Sequence, residues 1–336
     1  MWKERTEKKK FEEGFQYLGP TALSMVGIIC LAPLVSGTLG RLIIPVYRFL
    51  GVDPAMFGSL LAIDMGGYQL SMELAENPLI GRYAGIVAAS VFGCTIVFTI
   101  PVGMGLIEEG DLPVFAKGIM LGLAAMPAAL ITGGAVCGLG IGEILHQNLP
   151  VLVLALLLGI GLFRIPDGMV KGFEVFAVLI RTVITAGLVL AAVTYMTGFV
   201  VIPGMAPIEE AMAVVSSIGV VLLGSLPVTE FLQRRLKRPC TALGARMGLD
   251  SISVLGLLVS IVSPIPALVM MKDMNTFGKL VNVAYMVSSA SMLAAHLGFT
   301  VSTEPDMLPA LLVSKLAGCA AAIALGFITS KTKKRL

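Results

Sequence analysis

Residues 59–70 read SLLAIDMGGYQL, a stretch that places a carboxylate and a helix break inside one apolar run. Asp64 is followed at once by Met65, Gly66 and Gly67. An ionised aspartate at membrane depth costs about 2.5–3.5 kcal/mol, and glycine inside a helix costs about 0.5–1 kcal/mol relative to alanine. The pattern predicts a cation-binding site at Asp64. The alternatives are that Asp64 caps the helix that follows or is protonated and hydrogen-bonded.

The composition around this stretch predicts a polytopic membrane protein. Hydrophobic residues make up 57% of the 336 residues and charged residues 13%, whereas soluble domains are about 25% charged. Apolar windows of about 20 residues are long enough to cross a bilayer. The predicted spans are 17–38, 84–107, 114–140, 149–163, 182–203, 211–229, 280–299 and 309–328.

Basic residues predict how these spans are oriented. Nine of the 24 Lys and Arg lie in the tails 1–10 and 331–336, and four more lie in 233–238. Under the positive-inside rule, both termini and the 233–238 loop are cytoplasmic. This holds only if 54–75 and its later counterpart enter and leave on one side, so eight full spans and two re-entrant helices are predicted. The loops without Lys or Arg, expected outside, are 141–148, 200–210 and 300–308.

The chain also aligns with itself at a shift of 197 residues. Ten of 73 positions are identical from residue 11 to 83, and the matches include rare types. The topology inverts the second half relative to the first, an arrangement typical of secondary transporters. The matched stretches are FEEGF (11–15) with IEEAM (208–212), LGVDP (50–54) with MGLDS (247–251), and IGRY (80–83) with FGKL (277–280). At a shift of 196, EEGDLP (108–113) meets EPDMLP (304–309). The predicted parts are a tail (1–10), a first repeat (11–140), connecting spans (141–203), a second, inverted repeat (204–330) and a tail (331–336).

Both halves interrupt the same apolar segment. Gly66 and Gly67 align with Ser263 and Pro264. Glycine frees the backbone and proline removes a donor, so either leaves main-chain groups unpaired. At membrane depth such groups are tolerated only inside protein or along a water-filled cavity. Paired interruptions of this kind indicate a transport site.

A second group of polar residues is predicted on the span 280–299. Asn282, Ser289 and His296 lie seven apart, so they share one face of a continuous helix. They would either hydrogen-bond a substrate hydroxyl or join helices to each other, and packing alone also explains a lone histidine. The predicted substrate-binding residues are Asp64, Met65, Gly66, Gly67, Ser263, Pro264, Asn282, Ser289 and His296.

Two further aspartates are predicted to be structural caps. Asp53 precedes Pro54, which is the order of an N-cap and a proline at the first helical position. Asp250 stands at the matching position of the second half. Neither residue is expected to bind substrate.

The motifs of enzymes and cofactor sites are missing from the sequence. GxxxxGK[ST] and HExxH do not occur, His146 and His296 cannot form a metal cluster together, and the five cysteines show no paired spacing. We therefore expect no catalytic residue, no metal, no cofactor and no nucleic-acid partner.

Five stretches carry a family resemblance: FEEGF (11–15), SLLAIDMGGYQLSMELA (59–75), TIVFTIPVGMGLIE (95–108), MMKDMNTFGKLVNVAYMVSS (270–289) and HLGFT (296–300). They resemble the ethanolamine transporter of ethanolamine utilisation, the EutH family, from about residue 11 to 330. The resemblance implies a permease of the bacterial inner membrane that admits ethanolamine to a catabolic pathway. Ethanolamine is a primary ammonium at pH 7, as lysine is. The expected partners are this substrate or a similar small ammonium, membrane lipids and, as an option, further copies of the chain.

This sequence departs from the family pattern at two places. The family begins with one more hydrophobic span before FEEGF, where this chain has MWKERTEKKK, and it carries an acidic residue where this chain has Ala295. The alternative functions are a carrier of another small amine, a cation-coupled solute carrier, a channel and a membrane-embedded enzyme.

Overall fold

The computed structural model describes residues 12, 15, 16, 18–63 and 66–333, and all regular structure in them is helical. The predicted all-α class is confirmed. The α-helices are α1 (Leu18–Phe49), α2 (Gly67–Leu74), α3 (Pro78–Arg82), α4 (Ile100–Leu106), α5 (Leu112–Val136), α6 (Ile141–Gln147), α7 (Leu149–Arg164), α8 (Pro166–Thr197), α9 (Ile208–Arg246), α10 (Ser251–Ser260), α11 (Pro264–Val269), α12 (Thr276–Ser289), α13 (Ala295–Thr303) and α14 (Leu308–Lys333). Four 3₁₀ helices (Pro54–Leu60, Glu109–Asp111, Met270–Asp273, Pro305–Met307) and two π-helices (Tyr83–Gly93, Thr95–Thr99) complete the order.

Five helical stretches in the described part of the chain are long and apolar enough to cross a bilayer. A sixth candidate is a pair of helices, Ile141–Gln147 and Leu149–Gly161, that meet at 56°. The multi-pass character predicted from composition is confirmed at this level. The five stretches are Leu18–Thr38, Pro78–Met104, Leu112–Val136, Val178–Thr197 and Pro305–Thr329.

The predicted continuous span over 280–299 is wrong. Helix α12 ends at Ser289, and α13 begins only at Ala295. Between them Ser291 has φ +56°, a left-handed conformation that serine rarely adopts. Serine side chains compete with the backbone for hydrogen bonds, and SSAS at 288–291 is where the helix gives way.

Two helical hairpins interrupt the long helices. The first hairpin, residues 54–76, consists of the 3₁₀ helix Pro54–Leu60 and α2. The second hairpin, residues 251–274, consists of α10, α11 and a 3₁₀ helix. The arms of the first hairpin approach closely because Gly58 has no side chain. A Cβ there would lie 2.3 Å from Oγ of Ser71.

The first hairpin leaves and returns at one point, which Asp53 marks. Asp53 Oδ1 accepts a hydrogen bond from the amide of Ala55 at 2.9 Å, which is an N-cap. Its Oδ2 accepts from the amide of Asn77 at 2.8 Å, beyond the far end of the hairpin. One carboxylate therefore clasps both ends of the segment.

Asp250 clasps the second hairpin in the same way. Its Oδ1 accepts from the amide of Ser253 at 2.7 Å, and its Oδ2 accepts from the amide of Asn275 at 2.6 Å. Burial alone would raise the pKa of Asp250, but these hydrogen bonds outweigh burial and lower the pKa below its usual value. The sequence predicts the N-cap role of Asp53 and Asp250, but it does not predict the second hydrogen bond of each carboxylate to the far end of its hairpin.

Helices α5, α12 and α14 form the tightly packed core beside these hairpins. Their contacts depend on glycine, as is usual where membrane helices approach closely. A Cβ at Gly122 would lie 2.3 Å from the side chain of Val287, and one at Gly318 would lie 2.2 Å from Oγ of Ser288. This packing fixes the end of α12 against α14.

Candidate functional site

The structure describes four of the six binding residues predicted at the two breaks, Gly66, Gly67, Ser263 and Pro264. Asp64 and Met65 lie outside the described residues. Gly66 has φ +89° and directly precedes α2, which begins at Gly67.

The second break has a different conformation. Ser263 is extended and precedes α11, which begins at Pro264. The two restarted helices thus begin 197 positions apart, at Gly67 and Pro264. Both therefore restart where the sequence alignment matches them.

Both breaks contact the loop 290–294 between α12 and α13. Ala62 of the first break packs with Cys94 and with Ala290 of the loop. At the second break, the carbonyl of Ile261 accepts a hydrogen bond from the amide of Leu293 at 3.0 Å. We call this meeting place of the two breaks, the π-helices and the loop 290–294 the central site.

The predicted polar stripe is divided by the end of α12. Ser289 belongs to the central site, where its Oγ lies 3.1 Å from Oγ of Ser260. Asn282 lies about 10 Å away along the helix. Its Nδ2 donates to the carbonyls of Ser253 and Gly278, both at 2.9 Å. His296 is fully buried, but it lies on α13 rather than α12. The three residues therefore do not form one helical face.

A lysine that sequence reasoning missed lies at the central site. Lys315 of α14 is fully buried, and its Nζ donates to the carbonyls of Ser90, Ser288 and Ala290 at 2.9, 3.0 and 3.1 Å. It also interacts electrostatically with His296. The available signal was one charge in the apolar run PALLVSKLAGCAAAIALG, residues 309–326.

An ion-pair cluster joins the halves at one end of the molecule. Arg82, just before the first π-helix, pairs with Glu304 at 2.9 Å and with Asp306. The hydroxyl of Tyr68 donates to Glu304 at 2.6 Å. Arg82 comes from the first half and both carboxylates from the second. We call this the Arg82 cluster.

A matching ion pair joins the halves at the other end. Nζ of Lys279, near the start of α12, lies 2.6 Å from the carboxylate of Asp111. Here the cation comes from the second half and the carboxylate from the first. Phe277 stacks edge-on against Phe327 of α14 at a centroid distance of 5.1 Å, which locates this pair near the far end of α14. From Leu308 to Phe327 that helix rises about 28 Å, close to the hydrocarbon thickness of a bilayer, about 30 Å.

The alignment of the chain with itself includes the residues of both ion pairs, but it does not predict which residues pair. Arg82 and Lys279 occupy matching positions in IGRY and FGKL, and the acidic residues lie in or beside the matched stretches EEGDLP and EPDMLP. An ion pair between halves leaves no local spacing pattern, because its partners are 168 and more residues apart.

Broken helical hairpins that meet at a buried polar centre, with an ion pair at each end, define a polytopic membrane protein of the transporter class. The chain belongs to the family described as ethanolamine utilisation protein, EutH, whose profile matches residues 3–329. The family resemblance seen in the sequence is confirmed.

Three curated relatives are similar over almost the whole chain. The probable ethanolamine permease EutH of Listeria monocytogenes serotype 1/2a (strain 10403S) is 40% identical over 318 residues, covering 94% of this chain and 85% of the relative. The probable ethanolamine permease EutH of Escherichia coli (strain K12) is 38% identical over 339 residues, covering 94% and 83%. The uncharacterized protein YxeR of Bacillus subtilis (strain 168) is 39% identical over 334 residues, covering 98% and 90%. No solved structure matches this chain.

Proposed function

We propose that this protein is a secondary transporter that carries ethanolamine across the bacterial inner membrane to its catabolism. Two relatives are named probable ethanolamine permeases, which supports ethanolamine as the substrate. No enzymatic step is part of this proposal, since permeases move a solute without changing it. The observation that carries the transport class is the meeting of two broken hairpins at the central site.

The mechanism we propose is alternating access between two inverted halves. The Arg82 cluster and the Lys279–Asp111 pair join opposite halves at opposite ends of α14. In a carrier, one end must open while the other stays closed, so each ion pair is suited to be a gate. Ser288, Ser289 and Lys315 between the ends are fully buried, which is typical of an occluded conformation.

The inverted arrangement includes re-entrant hairpins and eight full spans, with both termini in the cytoplasm. The amide of Asn77 donates a hydrogen bond to Asp53, and the amide of Asn275 donates one to Asp250. These bonds support re-entry, because each hairpin ends where it begins. On this topology the Arg82 cluster faces outward and the Lys279–Asp111 pair faces the cytoplasm.

The ammonium of ethanolamine is assigned to Asp64 and to main-chain carbonyls at the two breaks, around Met65–Gly67 and Ser263–Pro264. Ser289 is the best placed of the predicted residues to accept the substrate hydroxyl, since it lies in the loop region that both breaks contact. Asn282 and His296 are proposed as second contacts. A primary ammonium donates three hydrogen bonds, so a carboxylate with carbonyl oxygens is a matching set of acceptors.

The test is uptake of labelled ethanolamine into liposomes that contain the full chain or Asp64→Asn. Mildly acidic buffer keeps the uncharged amine scarce and lowers leakage through lipid. Asp273→Asn is the matched control, since Asp273 is an exposed aspartate of the second hairpin. We expect saturable uptake by the full chain and the control, and a loss of at least about tenfold in Asp64→Asn, as removal of the carboxylate partner of the ammonium predicts.

Four other outcomes of the uptake experiment would contradict parts of this proposal. Uptake that does not saturate would replace the carrier with a channel. Equal uptake by Asp64→Asn would remove Asp64 from the site and leave Ser289, Asn282 and His296 as its residues. Conversion of ethanolamine without flux would show a membrane-embedded enzyme, and saturable uptake of other small amines in preference would change the substrate.

A further inference from the structure

The ammonium of Lys315 donates to main-chain carbonyl oxygens at the central site. A lysine ammonium has three donors and no acceptor. Its Nζ lies 2.9–3.1 Å from three main-chain carbonyl oxygens, those of Ser90, Ser288 and Ala290. The residue is fully buried. A charge in such a position is costly unless it is held in this way.

The three carbonyls come from places where the helices are irregular. Ser90 lies in the π-helix of the first half, and Ser288 and Ala290 lie at the end of α12 in the second half. The last carbonyls of a helix have no partner within it and carry the negative end of the helix dipole. Carbonyls at the ends of broken helices are the groups that bind coupling ions in transporters.

We propose that these carbonyls form a monovalent-cation site and that Lys315 is its permanent occupant, a tethered cation that replaces a coupling ion. The ammonium joins the first half to the second at the central site without an ion from solution. Transport by this protein is then independent of Na⁺. The inference does not depend on which amine the carrier moves.

The residues around Lys315 are consistent with a charge that stays in one place. His296 of α13 interacts with it electrostatically, and Cys319 lies one turn further along α14 and interacts with it too. Gly133 of α5 packs against Ser314, the preceding residue, where a Cβ would lie 2.8 Å from the serine Cβ. This contact with α5 fixes the backbone of α14 next to Lys315, where its side chain begins.

Lys315→Ala separates a cation site from simple packing. The substitution removes three methylenes and the ammonium, which together have the shape of n-propylammonium. n-Propanol is the uncharged probe of the same shape. Purified wild type, Lys315→Ala, Lys315→Met and the control Lys117→Ala, an exposed lysine of α5, are compared by thermal unfolding with each probe.

We expect Lys315→Ala to unfold at a lower temperature than wild type and to recover part of the loss with n-propylammonium but not with n-propanol. Ligands that bind only the folded state raise its stability, and the gain grows with the logarithm of ligand concentration above the Kd. Wild type, Lys315→Met and Lys117→Ala should not respond. Equal recovery with both probes, recovery with neither, or wild-type stability and uptake in Lys315→Met would each overturn the proposal.

A second measurement needs no variant. Uptake by the wild-type protein is compared in liposomes with Na⁺ and with K⁺ as the only metal cation. Equal rates are expected because the cation site is already filled. Uptake that requires Na⁺ would overturn the proposal, and it would leave ethanolamine transport itself intact.

Discussion

Gly93 shows how narrowly single residues define the central site. It lies at the end of the first π-helix, and a Cβ there would lie 1.9 Å from the carbonyl oxygen of Leu61 in the first break. We expect Gly93→Ala to destabilise the protein by about 1–3 kcal/mol, the usual cost of overpacking, because backbone cannot move aside as a flexible side chain does. Thermal unfolding in detergent measures this.

The control for this substitution is Gly172→Ala. Gly172 lies in α8, and nothing lies within 4 Å of an added Cβ. Alanine there should be neutral or stabilising by up to about 1 kcal/mol, since it is the better helix former. Equal unfolding temperatures for Gly93→Ala and wild type would show that the break and the π-helix are loosely packed.

Lys315 and Asp64 show which site residues can be predicted from the sequence alone. Both are lone charges in apolar runs, and the cost of such a charge marks each as a candidate. The glycines that follow Asp64 mark it further as a candidate, whereas no glycine or proline directly adjoins Lys315 in the sequence. The partners of Lys315 are main-chain carbonyls, which every residue has. No pattern of side chains could therefore reveal its contacts.

At the scale of elements, the clasps on the two hairpins make a prediction. Asp250 uses both oxygens, one for Ser253 and one for Asn275. An asparagine keeps one acceptor and turns its amide towards the second donor. We expect Asp250→Asn to lower stability by about 0.5–2 kcal/mol, the range for lost caps. Asp53→Asn should act in the same direction, and Asp273→Asn should not.

The effect of Asp250→Asn should depend on pH. The pKa of Asp250 is lowered in the folded protein, so its stabilising contribution is complete above the unfolded value of about 3.9. It is lost as pH falls through the lower folded value. Unfolding temperatures of wild type and Asp250→Asn should therefore converge as pH falls below about 4. A constant difference down to pH 3 would show that the carboxylate charge contributes nothing to the clasp.

Local sequence signals predict where these elements start, but they do not predict the interruption after Ser289. Asp53, Pro54, Gly67 and Pro264 are strong local signals, and each lies at a helix start in the structure. The interruption after Ser289 has no glycine or proline. Hydropathy over 280–299 is continuous, so it predicts one uninterrupted helix. Tertiary contacts of the loop 290–294 with both breaks decide its conformation.

At the scale of the whole molecule, the halves are joined reciprocally. Each half supplies the cation at one end, Arg82 or Lys279, and the carboxylate at the other. Such an exchange is what a two-fold relation between inverted halves would produce. The alignment could match the positions of the charges but not pair them, because the pairing follows from the fold.

The Lys279–Asp111 pair gives the last prediction. Both side chains are 14% exposed, so a like charge placed there is poorly screened and costs several kcal/mol. We expect Lys279→Glu to lower ethanolamine uptake at least about tenfold and to increase deuterium exchange in α12, because the proposed gate at this end cannot close. Combining it with Asp111→Lys should restore both. Lys272→Glu, an exposed charge reversal in the second hairpin, is the control. Lys279→Glu with normal uptake, or a swap that restores stability without uptake, would show that the pair is an anchor rather than a gate.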